Sequence, residues 1–152
     1  MPIQLSYGAD INAPADRVFQ VMTDPHQFGR WMPNFVRAED LTPGVSGTGQ
    51  SWRETRKMFG KEASEVFEVR ACDPPRSIEL FCDGSKGTSG KGTYRFVYTL
   101  SPVGSGTRVA CDGEISMGGG IAEFMGKLFS GSMKKMCEKD LQAMKQYIEG
   151  GQ

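Results

Sequence analysis

Apolar and polar residues alternate along most of the first 117 positions. In IQLSYGADI, Leu5, Tyr7, Ala9 and Ile11 alternate with Ser6, Gly8 and Asp10, a period of two that predicts a strand. NAPADRVFQVMTD then predicts a short helix. Asn12 or Ala13 sits at its cap, Pro14 in its first turn, and Val18, Phe19 and Met22 form its apolar stripe. A second helical turn carries Phe28 and Trp31 and stops at Pro33. From about Phe35 to Met117 the chain reads as strands divided by turn-forming stretches: TPGVSGTG, FGKE, DPPRS, DGSKGTSGKG and SPVGSGT. The inward sets are Ile78, Leu80 and Cys82, then Tyr94, Phe96, Tyr98 and Leu100, then Val109, Cys111, Gly113, Ile115 and Met117.

After Gly118-Gly119-Gly120 the period changes. Ile121, Phe124, Met125, Leu128, Phe129, Met133, Met136, Cys137, Leu141, Met144 and Ile148 recur at helical spacing. A helix from Ile121 to the C-terminal glycines is about 44 Å long. Seven strands side by side span about 29 Å, so one helix crosses the whole sheet. Core packing accounts for most of the apolar stripe. The methionines on it, with Gly126 and Gly131 inside the helix, also suit a covering over a space that something other than protein fills.

One stretch resists a simple reading. In SWRETRKMFGKEASEVFEVR, a two-residue type II′ loop at Gly60-Lys61 pairs Met58 with Ala63, Arg56 with Glu65, Glu54 with Phe67 and Trp52 with Val69, all on one face. Three charged side chains then point the same way as Trp52, Met58, Phe67 and Val69. Burying charges costs several kcal/mol per ion unless they are paired. Three readings stand: a wet hairpin tip, a buried structural network, or a network that touches a ligand. A carboxylate beside Trp52 and Phe67 would have a raised pKa, and an arginine between two carboxylates could hold a hydroxyl, carbonyl or carboxylate.

Composition narrows the classes. Lys+Arg and Asp+Glu both number 18, so the formal charge is zero and no global field attracts nucleic acid. No apolar run approaches the ~20 residues of a membrane span, and the N-terminus lacks the charged and apolar regions of a signal peptide. The four cysteines form no CxxC pair, which suits reduced thiols in a cytoplasmic protein and gives no metal site. The single histidine, His26, has no bracketing partners for a triad. GSKGTSGKG misses the phosphate-loop spacing and reads as a loop between strands near a cavity mouth.

The order of one strand, two short helices, six strands and one long helix, with Ile11-Asn12-Ala13-Pro14, the Asp24 to Trp31 segment and the Asp73-Pro74-Pro75-Arg76 turn, resembles the START/Bet v 1-like (SRPBCC) superfamily. It is most similar to the bacterial polyketide cyclase/dehydrase branch, over essentially all 152 residues as a single domain. The resemblance implies an α+β helix-grip fold, a seven-stranded curved antiparallel sheet wrapped around the C-terminal helix, with a cavity between them. It does not specify a reaction.

The expected cavity wall comprises Trp31, Trp52, Phe67, Leu80, Tyr94, Phe96 and Tyr98 from the sheet side. Phe124, Met125, Leu128, Phe129 and Met133 come from the helix. Glu54, Arg56 and Glu65 form its polar part and are the catalytic candidates if there is chemistry. The expected function is binding of a small apolar or amphipathic ligand such as a lipid, aromatic or polyketide-like molecule, by a monomer or weak homodimer without cofactor. The alternative is a polyketide cyclase/aromatase or dehydratase-like enzyme. A chaperone-activator role is a third, smaller branch.

Overall fold

The computed structural model describes residues 2–117 and 121–150, with the backbone alone for 121–130. The elements run β1 (Ile3–Ile11), α1 (Ala15–Thr23), a 3-10 turn (Pro25–Arg30), β2 (Phe35–Asp40), β3 (Ser51–Met58), β4 (Lys61–Asp73), β5 (Ser77–Asp83), β6 (Thr93–Val103), β7 (Gly106–Ser116) and α2 (Ile121–Glu149). The strands form one antiparallel sheet in the order β1-β7-β6-β5-β4-β3-β2. This is the helix-grip arrangement: α2 lies on the inner face of the sheet, and α1 and the 3-10 turn lie between β1 and β2.

The alternation in each strand sends one set of side chains under α2. Val69, Ile78, Leu100 and Val109 meet Leu141, Met144 and Ile148 of the helix together with Val18, Val21 and Phe28. Full burial of one such side chain contributes about 2 kcal/mol. A second group, Ile3, Leu5, Phe96, Cys111 and Ile115, packs where β1, β7 and β6 adjoin. The C-terminal end of α2 is tied to β1. Glu149 accepts from the Asn12 amide at 2.8 Å, and Lys145 donates to the Asp10 carbonyl at 2.6 Å.

Two expectations need correction. Helix α1 begins one or two residues later than expected: Pro14 is extended at the cap position, and Val18 N–H bonds its carbonyl. The β3–β4 turn is also displaced. Its central residues are Phe59 and Gly60, with φ of 53° and 80°. That is the type I′ sign pattern, whose twist matches the flanking strands. The pairs are therefore Trp52 with Phe67, Glu54 with Glu65, Arg56 with Ala63 and Met58 with Lys61. Phenylalanine is strained at positive φ. The register compensates by stacking Trp52 on Phe67, centroids 5.9 Å apart, and by setting the Thr55 and Ser64 hydroxyls 2.7 Å apart. The face assignment survives, because moving the turn by one residue shifts each partner by two, which preserves the side-chain period.

Candidate functional site

Under α2 the inner face of the sheet does not close onto the helix. A cavity of about 390 Å³ remains. Its apolar wall includes Phe28, Trp31, Trp52, Phe67, Ile78, Leu80 and Phe96, and α2 contributes Met133, Met136, Leu141 and Met144. Phe28 stands edge-on to both Trp31 and Trp52, at 5.8 Å in each case. Three rings from the 3-10 turn and β3 thus brace one another, and Phe67 extends the stack onto β4.

Trp31, Trp52, Glu54, Arg56, Glu65, Phe67, Leu80, Tyr94, Phe96, Tyr98 and Met133 all line this space. Phe124, Met125, Leu128 and Phe129 lie outside the described side chains. His26 is exposed and donates its backbone N–H to Asp24. Among the described residues no cluster of His, Cys, Asp or Glu is arranged to hold a metal ion, and no helix is long and apolar enough to cross a membrane.

The polar groups are distributed differently from the sequence expectation. Arg56 does not pair with Glu65, because the register places Ala63 opposite it. It reaches across the cavity to Asp140 on α2. Nη1 donates to Oδ2 at 2.8 Å and Nη2 to Oδ1 at 2.7 Å, a bidentate pair, while Nε and Nη2 donate to the Pro33 carbonyl at 3.1 and 2.9 Å. Burial alone would lower the Arg56 pKa; the bond to Asp140 overrides it and raises the pKa. Asp140 escapes the sequence reading, although a signal is present. It falls on the helical stripe of Met133, Met136, Cys137, Leu141 and Met144, a polar residue on a face that is otherwise apolar.

Glu65 faces the loop after β5. Its Oε1 accepts from the Ser89 amide at 2.8 Å and from the Ser89 hydroxyl. The Thr88 amide donates to the Ser64 carbonyl at 2.7 Å, and the Ser64 amide donates to the Thr88 hydroxyl at 2.8 Å. The 84–92 loop is thereby tied to β4, with Thr88 and Ser89 on the cavity rim.

Glu54 is 9% exposed and directly opposite Glu65. Its nearest cation is Arg56 Nη1 at 3.9 Å, beyond hydrogen-bonding range. Burial pushes its pKa up to about 7, against the smaller lowering by Arg56, while Asp140 pushes the same way as burial. The Trp52 indole N–H is near enough to lower the pKa slightly but forms no well-aligned hydrogen bond and is itself unpaired. A carboxyl that titrates near neutrality inside an apolar cavity can accept or release a proton there.

The remaining polar groups sit deeper. The hydroxyls of Tyr7 and Tyr98 are 3.1 Å apart, and burial raises both pKa values far above the ordinary. Burial also pushes Cys137 up to about 11, and Cys82 and Cys111 to about 12, so these thiols stay protonated and weakly nucleophilic.

The family model described as polyketide cyclase/dehydrase and lipid transport matches residues 2–149, and the chain belongs to that family. Such membership fits a ligand-binding or cyclase role. The fold recurs in the TTHA0849 protein of Thermus thermophilus, with 18% identity, TM-score 0.78, and 98% and 99% of the two chains covered. It recurs in the Zhui aromatase/cyclase of a Streptomyces species, with 15% identity, TM-score 0.77, and 95% and 92% covered. A third is Ara h 8.0201, with 15% identity, TM-score 0.73, and 97% and 98% covered. No functionally curated protein matches the sequence significantly.

Proposed function

We propose that this protein binds one small apolar or amphipathic molecule, of lipid, aromatic or polyketide-like character, between the sheet and α2. The observation that carries the reading is the cavity of about 390 Å³, walled by aromatic and methionine side chains with a few convergent polar groups. Volume and wall both match small-molecule sites, which run ~300–1,000 Å³. The four free cysteines suit a reducing compartment such as the cytoplasm, and the cavity is built within one chain, so a monomer or weak homodimer is sufficient.

Native mass spectrometry of gently purified protein tests the reading. The expected spectrum contains an adduct that denaturing solvent removes. A homogeneous unliganded mass, together with no uptake of any apolar dye, would overturn it.

Glu54 supports a second reading. A buried carboxyl with a pKa of about 7 beside an apolar wall suits general acid–base work, as in a cyclase or dehydratase. Turnover of a poly-β-keto substrate mimic that follows one ionisation near neutrality, and that vanishes in Glu54→Gln, would favour the enzyme over the carrier.

A further inference from the structure

The cavity lining carries three carboxyl groups, Glu54, Glu65 and Asp140, and one guanidinium, Arg56, among the described residues. Only one of the four makes no well-formed hydrogen bond. Arg56 and Asp140 satisfy each other through two short hydrogen bonds, and Pro33 takes two more of the arginine N–H groups. Glu65 is held by Ser89. Glu54 is nine-tenths buried and faces the cavity, and its neighbouring donors are the Trp52 indole N–H, poorly placed, and Arg56 Nη1, 3.9 Å away.

We propose that the ligand is an amphipathic amine, bound as its cation with the ammonium group at Glu54 and the apolar body against Phe28, Trp31, Trp52 and Phe67. The inference rests on the cavity-binding reading above and names the chemistry of its ligand.

Three arguments converge. A buried carboxylate whose nearby donors are poorly placed or distant is costly, and an ammonium supplies both opposite charge and N–H groups. The aromatic rings that line the same space carry negative π faces, which attract a desolvated cation. An anionic ligand gains nothing here. The one positive charge among the described lining residues is already paired with Asp140, and the anion would meet Glu54 and Asp140 as like charges. A neutral alcohol can donate one hydrogen bond to Glu54 but leaves its charge unbalanced.

The test uses three probes that share one ring system: 2-(1-naphthyl)ethylamine, 2-(1-naphthyl)ethanol and 1-naphthylacetate. Each competes with an apolar dye at pH 8. The amine should bind about tenfold or more tighter than the alcohol, since one charge-assisted contact is worth at least ~1.4 kcal/mol, a factor of ten. The acetate should be weakest. Glu54→Gln, nearly isosteric, should erase the preference of amine over alcohol.

A second measurement needs no variant. Lowering the pH from 8 to 5.5 protonates Glu54, while the amine stays charged, so its advantage over the alcohol should shrink in the unaltered protein. The charged or titratable groups that face Glu54 are Arg56 on its own strand, Glu65 on β4, Cys82 on β5 and Asp140 on α2. Acetate binding tightest, or a preference that survives both Glu54→Gln and acid, would overturn the proposal while leaving the cavity reading intact. Dye that none of the three displaces would overturn the proposal, and no dye uptake at all would count against the cavity reading as well.

Discussion

Arg56 on β3 and Asp140 on α2 are joined by two parallel hydrogen bonds, 2.8 and 2.7 Å long, across 84 positions of sequence. Both side chains are largely buried, 13% and 23% exposed. The pair ties the C-terminal half of the long helix to β3 across the cavity wall. A buried pair of this kind is a poor source of net stability, since desolvation offsets most of the attraction, but breaking it leaves a charge stranded.

Asp140→Ala should therefore destabilise the protein by about 3–5 kcal/mol. Arg56→Met combined with Asp140→Leu should recover most of that loss, because apolar side chains replace both charges. Urea unfolding of Arg56→Met, Asp140→Leu and the double variant measures the coupling. Equal losses that simply add would show that the two side chains do not interact.

Glu54 makes stability depend on pH in the unusual direction. Its folded pKa, about 7, lies above the ordinary carboxyl value of 4.5. Between those values the folded state holds more protons than the unfolded state, so stability falls as pH rises. The penalty is absent below pH 4.5, grows up to 7 and is complete above it, with an upper size of about 3 kcal/mol. Subtracting the stability curve of Glu54→Gln from that of the parent protein isolates this slope. A flat difference between pH 4.5 and 8 would show that the carboxyl is not desolvated.

Phe59 is 92% exposed and sits at φ 53° in the first central position of the β3–β4 turn. It buries little and occupies a backbone region that suits asparagine. Phe59→Asn should stabilise the fold by about 1 kcal/mol. A melting temperature that drops instead would reveal that Phe59 contributes packing the turn geometry does not account for.

The residue pattern makes much of this legible. The strands and the long helix follow from periods of two and 3.6, and the inward face of the hairpin follows as well, despite the displaced turn. A one-residue error in the turn preserves which side chains share a face while changing every partner. Arg56 is therefore expected beside Glu65, whereas the register puts Glu54 there. The turn is hard to place because Gly60 favours the first position of a type II′ loop, and nothing local shows that Phe59 accepts positive φ. Asp140 is harder to find. Its partner is distant in sequence, and only its place on an apolar helical face marks it. Glu65 groups with Arg56 in the sequence because the fold of the Gly-rich 84–92 loop, which captures its carboxylate, has no periodic signature.

The central claim is that the space beneath α2 holds a small molecule, and titration with an environment-sensitive apolar dye tests it most directly. The parent protein should bind the dye with micromolar affinity and raise its emission. Met136→Trp, which places an indole in the cavity from α2, should abolish that signal. It should cost the fold only about 1–3 kcal/mol, because the added volume enters open space. Undiminished dye binding by the folded variant would place the dye elsewhere, and unfolding of the variant together with no dye uptake by the parent would mean that the helix packs flush on the sheet.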